Sequence, residues 1–352
     1  MAERHTVRFE PVDLEIEVSE DETVLEGAFR QGVMLMHGCK EGQCSACKSF
    51  LLEGDVDLER YSTFALADYE REEGYTLLCR AHAYSDLEVE LLHYDEEMLT
   101  SGVPIRNLKT RVESVEPLTH DIYRLCLLLD DEKPLEFHAG QYVDVRIPGS
   151  DSTRCFSMSN TPAAPDRLEF MIKLYPGGRF SGLLRDELAP GQALDVRGPY
   201  GVFILREHSD ADLIFIGGGA GMAPIWSLLN SMAERGIERK VSYYYGARSR
   251  KDLFHLDEIA RLAERLPDFR FVPALSEPAP DDSWDGEVGL ITDVLDRLEG
   301  DLSGCEGYLC GPPPMIDAAI PTLEAHGIPE ARIFYDKFTI TATEEEQATQ
   351  GA

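Results

Sequence analysis

At the start of the chain, apolar and polar positions alternate in two short runs, Thr6–Phe9 and Leu14–Val18, around a turn at residues 11–13. That period of two predicts an antiparallel hairpin. The spacing then changes. Val24, Leu25, Ala28 and Phe29 share one helical face, and the pattern stops at Gly32, which predicts a helix over residues 23–30. Strand-like runs return at 48–58 and 87–92, and periodicity vanishes from Asp95 to Pro104, as expected of a linker. From Leu108 to about Arg206, runs at Ile122–Leu129, Gln141–Ile147, Arg167–Leu174 and Ala193–Val196 are separated by Gly and Pro, with one helical stretch at Phe180–Leu188. This describes a small antiparallel barrel. Beyond it, strand-like runs at 213–216, 241–245, 269–273, 307–310 and 332–334 alternate with helical stretches at 223–234, 253–265, 292–298 and 314–325. That alternation predicts a parallel, doubly wound α/β sheet. Residues 341–352 carry almost no apolar content and are expected to be a disordered tail.

Four cysteines give the first part of the chain its chemistry. Four residues separate Cys39 from Cys44, two separate Cys44 from Cys47, and Cys79 supplies a fourth sulfur. This is the spacing of a plant-type [2Fe-2S] site, in which four soft, anionic thiolates complete two tetrahedral irons. Gly38, Gly42, Ser45 and Ala46 keep side chains small where N–H groups must turn toward sulfur. Structural zinc is disfavoured because there is one short C-x2-C pair rather than two. A disulfide framework is disfavoured because eight cysteines in 352 residues are few, and Cys126, Cys155, Cys305 and Cys310 are scattered. Helix, metal loop and mixed strands together predict a compact α+β β-grasp ferredoxin unit. The chain is therefore expected to be multidomain: a ferredoxin unit over 1–98, an antiparallel barrel over 103–207, and a Rossmann-like unit over 208–340.

Charge narrows the partners. The net charge is −32, and residues 1–98 hold 24 acidic against eight basic residues, half of that total. Nucleic acid and anionic membranes both require basic surfaces, so neither is an expected partner. A protein partner with a basic face fits, and so does a merely solubilising acidic surface. No run of eighteen apolar residues occurs, and a cytoplasmic protein is expected.

Two signals inside the barrel suit a flavin: Arg154-Cys155-Phe156-Ser157 and Gly177-Gly178-Arg179-Phe180-Ser181. An arginine beside glycine N–H groups at a helix start makes a cradle for a pyrophosphate. Phe156 could lie against the isoalloxazine, with Ser157 near its N5. Phe156 as barrel core and Gly177-Gly178 as a hairpin turn fit equally well. In the third unit the first strand runs into Gly217-Gly218-Gly219-Ala220-Gly221-Met222, a glycine turn that opens a helix and lets backbone approach a dinucleotide. Met222 stands where a strict G-x-G-x-x-G has glycine. Tyr245-Gly246-Ala247-Arg248 ends the second strand without an acidic residue, so the ordinary dehydrogenase fingerprint is not met.

Taken together, these motifs resemble the ferredoxin–NAD(P)H reductase superfamily, and in particular the reductase components of bacterial multicomponent monooxygenases. The resemblance runs over roughly residues 1–340. It implies FAD at Arg154, Cys155, Phe156, Ser157, Ile172, Gly177, Gly178, Arg179, Phe180 and Ser181, with Phe156 in place of the more common tyrosine. It implies nicotinamide dinucleotide at Gly218, Gly219, Ala220, Gly221, Met222 and Arg248, and at Cys310, Gly311 and Pro312 of Cys310-Gly311-Pro312-Pro313-Pro314-Met315. Ser157, Cys310 and Phe338 would flank the reacting rings; Cys310 as a buried strand thiol and Phe338 as core are the competing readings. The implied activity is NADH-dependent electron transfer through FAD and the cluster to the di-iron hydroxylase of a monooxygenase acting on a hydrocarbon, phenol or ether. The same modules in the same order also serve aromatic-ring dioxygenases and deoxysugar dehydratases, and an iron–sulfur redox sensor is the non-enzymatic alternative. The free reductase is expected to be a monomer. NADH is expected over NADPH, because Glu277 after Ser276 would repel a 2′-phosphate, although Arg248 and Arg250 pull the other way.

Overall fold

The structure is a computed structural model and describes residues 2–95, 99, 102–130, 133–279 and 283–338. The expected tail at 341–352 lies outside the described residues, as do linker residues 96–98, 100 and 101.

The hairpin of Arg4–Glu10 with Leu14–Ser19 begins a five-stranded sheet that continues through Leu87–Leu91, Lys48–Glu53 and Tyr75–Leu77. Arg4–Glu10 runs parallel to Leu87–Leu91 and antiparallel to its other neighbour, giving the mixed sheet of a β-grasp. The helix Val24–Arg30 is set by a reciprocal cap: Glu26 N–H donates to the Thr23 hydroxyl and Thr23 N–H to the Glu26 carboxylate. Its apolar residues are buried as their spacing predicts, and Gly27 lets it sit close, since a Cβ there would meet Val18 Cγ1 at 2.4 Å. The run 48–58 divides at Gly54, whose φ is +103°; Val56–Leu58 leaves the sheet and pairs with Ala81–Ala83. The helix Asp68–Glu73 has no buried residue, so no apolar face marks it in the sequence.

The middle unit is a six-stranded antiparallel sheet in the order Thr153–Ser157, Tyr142–Arg146, Ala193–Tyr200, Arg106–Pro117, Ile122–Leu129, Arg167–Lys173. It closes on itself where Met158 pairs with Phe170 and Ser159 N–H donates to the Glu169 carbonyl at 2.7 Å. The inward positions of these strands, including Leu125, Val143, Val145 and Phe170, form its core.

The third unit is a parallel sheet ordered Glu287–Val288, Phe269–Leu275, Val241–Ala247, Asp212–Gly218, Cys305–Gly311, Ile333–Lys337. The central strands read as continuous apolar runs because helices cover both faces. The helix expected over 253–265 is shorter, Leu256–Ala263, because Ser249 caps a separate turn at Arg250–Asp252. The last strand runs Ile333–Lys337, directly after a short turn at Glu330–Arg332.

The units are joined by specific contacts. Tyr142 donates its hydroxyl to the Gly38 carbonyl at 2.9 Å, and Gly201 N–H donates to His37 Nε2 at 3.0 Å. Asp95, at the start of the linker, pairs with Arg206 at 2.6 Å. Ser227 donates to the Asn160 carbonyl at 2.6 Å, fastening the barrel to the helix Met222–Arg235. The ferredoxin unit is thus seated on the barrel and not merely tethered to it.

Candidate functional site

The cysteine loop curls through positive φ at Lys40 (58°), Gly42 (67°) and Ser45 (57°). Glycine is required at Gly42, where a Cβ would lie 2.7 Å from Tyr61 Cβ, and at Gly38, where it would lie 2.9 Å from Cys44 Sγ. The curl aims backbone N–H groups at sulfur: Gln43 and Glu41 donate to Cys39 Sγ at 3.2 and 3.4 Å, and Cys39 N–H to Cys44 Sγ at 3.3 Å. Cys39 and Cys44 interact as one thiol pair, Cys47 and Cys79 as another. A hydrogen bond from Cys44 and then the N–H donors pull the Cys39 thiol below its usual range, while the partner thiol and burial push Cys44 and Cys79 up. Four sulfurs with converging N–H groups fit a two-iron cluster, which these thiolates would hold.

At the barrel edge, Arg154, Cys155, Phe156 and Ser157 lie on the strand Thr153–Ser157, paired with Tyr142–Arg146. Ser157 is buried and Arg154 half-exposed, with Nη1 donating to the Thr153 carbonyl at 2.7 Å. Phe156 is half-buried against Phe180 and Phe170, with centroids at 4.7 and 6.2 Å. Its ring serves the barrel wall from inside, and Ile172 belongs wholly to the barrel core. Gly177 has φ +74° with open space beside it, and Gly178 precedes the helix Arg179–Asp186. The Ser181 hydroxyl accepts the Tyr175 N–H at 2.9 Å and so fixes this turn, while Phe180 points into the core.

In the parallel sheet the glycine turn faces the end of the neighbouring strand Cys305–Gly311. A Cβ on Gly221 would stand 2.1 Å from the Cys310 carbonyl oxygen, and one on Gly218 would stand 2.8 Å from Met315 Sδ. Gly219 has φ +56° and nothing beside it, while Tyr245 donates to its carbonyl at 3.1 Å. Met222 is completely buried, so its side chain is core, and its N–H donates back to the turn carbonyls of Gly219 and Ala220. Ala220 is also buried, Pro312 precedes the helix Pro313–Ala325, and Arg248 is exposed. Phe338 N–H donates to the Gly311 carbonyl at 2.9 Å, which brings that ring to the Cys310 turn. Cys310 is itself buried and its thiol pushed well up by burial.

The sequence reading missed Asp336. It lies opposite Cys310 in register and acts electrostatically on both Cys310 and Tyr142, the latter opposite Ser157. Strand, turn and barrel edge therefore converge around Ser157, Tyr142, Cys310 and Asp336. An acidic residue within an aromatic run was the available signal. Burial alone pushes the Asp336 carboxyl up to about 6. The folded state therefore holds that proton more tightly than the unfolded chain, so its contribution to stability is complete below about pH 4 and lost as pH rises through 6. Asp336→Asn is expected to raise the melting temperature by about 2–4 °C at pH 8 and not at pH 4. A gain of equal size at both pH values would contradict this origin.

Three family models match successive segments: a 2Fe-2S iron-sulfur cluster binding domain over residues 7–84, an oxidoreductase FAD-binding domain over 109–204, and an oxidoreductase NAD-binding domain over 215–320. The chain is 53% identical over 347 residues to the reductase component of propane 2-monooxygenase of Rhodococcus jostii, covering 98% of this chain and 94% of that one. The chain belongs to the monooxygenase reductase components of the ferredoxin–NAD(P)H reductase superfamily. The reductase component DmpP of phenol 2-monooxygenase from a Pseudomonas is 39% identical, covering 96% and 95% of the two chains. The structure matches the cytochrome P450 reductase GcoB of Amycolatopsis with a TM-score of 0.85 at 32% identity, covering 96% and 99%. The protein is accordingly an oxidoreductase that uses NADH, FAD and a [2Fe-2S] cluster to supply a monooxygenase hydroxylase with electrons. Among the described residues, no helix is long and apolar enough to cross a membrane.

Proposed function

We propose that Cys39, Cys44, Cys47 and Cys79 hold the cluster, and that FAD lies along Arg154–Ser157 and Gly177–Ser181. We place the dinucleotide at Gly218–Met222, Arg248 and Cys310–Pro312, with Ser157, Cys310 and Phe338 flanking the reacting rings. The reach of Asp336, opposite Cys310 on the last strand, to Tyr142, opposite Ser157 on the barrel, supports this, and Cys310 and Ser157 are both buried. When bound, the cofactors accept a hydride from NADH and release its two electrons singly. The chain's part is to hold the rings in register and keep water from them. We assign these roles to units spanning 1–98, 103–207 and 208–340 of a cytoplasmic protein that is monomeric when free.

The acceptor we infer is a di-iron hydroxylase acting on a short-chain hydrocarbon, met through a basic face. The observation behind it is the identity gradient: 49–53% to four propane 2-monooxygenase reductase components, against 37–39% to phenol and xylene counterparts and 32% to a toluate dioxygenase component. Reconstitution tests it. The purified protein should contain FAD and two irons, and NADH-driven propane oxidation should require it together with the hydroxylase. Raising the ionic strength should weaken hydroxylase binding, since the Debye length is about 10 Å at 0.1 M. Zinc in place of iron would remove the central assignment, and salt-independent affinity would remove the basic face.

The nucleotide should be NADH. Glu277 N–H donates to the Arg248 carbonyl at 2.7 Å, so the two residues are neighbours at the ends of adjacent strands. A 2′-phosphate there would meet Glu277 as well as the arginine. We expect kcat/KM to favour NADH by at least about tenfold, and Glu277→Arg to shift the ratio toward NADPH by about tenfold. Equal values for the native protein would show that the arginines prevail.

A further inference from the structure

We propose that Lys40 and Asp144 form the charge pair that docks the cysteine loop onto the flavin barrel, and that this pair positions the ferredoxin unit for electron transfer. The inference rests on the cofactor placement proposed above. Lys40 follows Cys39 directly and is turned outward by its left-handed φ of 58°. Its Nζ lies 2.6 Å from Asp144 Oδ2 and 3.3 Å from the centroid of the Tyr200 ring. The two side chains are only 16% and 13% exposed, so the pair is largely withdrawn from solvent. On the other side of Cys39, the Gly38 carbonyl accepts the Tyr142 hydroxyl. The barrel therefore grips both neighbours of one cluster cysteine.

The grip is continuous with the flavin edge. Tyr142 and Asp144 are two apart on one strand and so project from the same face, and Tyr142 stacks on Tyr200 at 5.7 Å. The second oxygen of Asp144 accepts the Cys155 thiol at 3.1 Å, and Cys155 lies between Arg154 and Phe156. Lys40 thus connects a residue bonded to the cluster cysteine with the strand proposed to carry FAD. It exchanges no electron itself: each NADH gives NAD+, a proton and two electrons, which leave one at a time, to two cytochrome c molecules or in succession to one di-iron centre. Lys40 and Asp144 act only on position, and a misplacement of about 1 Å can cost about a hundredfold in rate. Reversing one charge would leave two like charges facing each other in a largely buried contact.

The test uses full-length protein with its iron, sulfide and FAD measured first. Lys40→Glu should lower cytochrome c reduction at saturating NADH by at least about tenfold, leave ferricyanide reduction within about twofold, and enlarge the radius of gyration in small-angle scattering. Asp144→Lys should do the same from the barrel side. Combining the two should restore both rate and radius, and Lys40→Arg should retain them. Missing iron or FAD in the native protein would overturn the cofactor placement and not the pair. Full cofactor content with unchanged transfer and radius in Lys40→Glu would overturn the pair, as would a double variant no better than either single one. If Lys40→Glu fails to take up iron, Asp144→Lys decides the question by the same two readouts.

Discussion

Cys44→Ser is expected to abolish reduction of cytochrome c and of the hydroxylase, by at least about a hundredfold, while leaving ferricyanide reduction by NADH within about twofold. Cys44 and Cys39 form one sulfur pair, and both the Cys39 N–H and Gly38 are fitted around the Cys44 sulfur. A serine oxygen is harder and much less acidic than a thiol, so the cluster we propose at these cysteines would lose a soft anionic donor. A small oxidant can collect electrons at the flavin, whereas a large protein acceptor needs the cluster. The barrel core and the glycine turns do not include Cys44, so FAD content should be unchanged. Joint loss of FAD and both activities would show that the contacts from Tyr142 to Gly38 and from Gly201 to His37 make the two units one cooperative structure.

The reach of the sequence differs between the units for physical reasons. The cysteine spacing was legible because ligand chemistry fixes it, and the parallel sheet because buried strands and helices leave long unmixed signals. The barrel was legible as a class but not strand by strand. Thr153–Ser157 reads as a motif rather than a strand because its outer positions carry Thr153 and Cys155 with no alternation of strongly apolar residues. The helix Asp68–Glu73 escaped because it buries nothing. Ile172 and Met222 show a different limit: a motif marks a position without saying which way its side chain turns, and both turn into core. Asp336 was passed over inside an aromatic run, since only the register against Cys310 gives it meaning. The linker too is more than a gap in periodicity, because Asp95 is held by Arg206.

Gly221→Ala should cost the protein its use of NADH while sparing the flavin and the cluster. The glycine turn and the Cys310–Gly311 turn are the two walls of the proposed dinucleotide site, and Gly221 is where they touch. Its Cβ would stand 2.1 Å from the Cys310 carbonyl oxygen, 2.5 Å from that carbonyl carbon and 2.8 Å from Gly311 Cα. All three are backbone atoms on a central strand, so no side chain can swing away to admit a methyl group. The helix Met222–Arg235 must instead move off the strand end, although Met222 and Ile225 anchor it in the core. A shift of about 1 Å in a reacting geometry is worth about a hundredfold, and that is the expected fall in kcat/KM for NADH. Gly219→Ala is the contrasting case, since nothing lies within 4 Å of its Cβ and only a φ of +56° is strained. It should cost about 1–2 kcal/mol of stability at most and far less in rate. Reduction by dithionite measures flavin and cluster without NADH and should be normal in both variants. If Gly221→Ala reduces its flavin with NADH at the native rate, the two turns are not the walls of the nucleotide site.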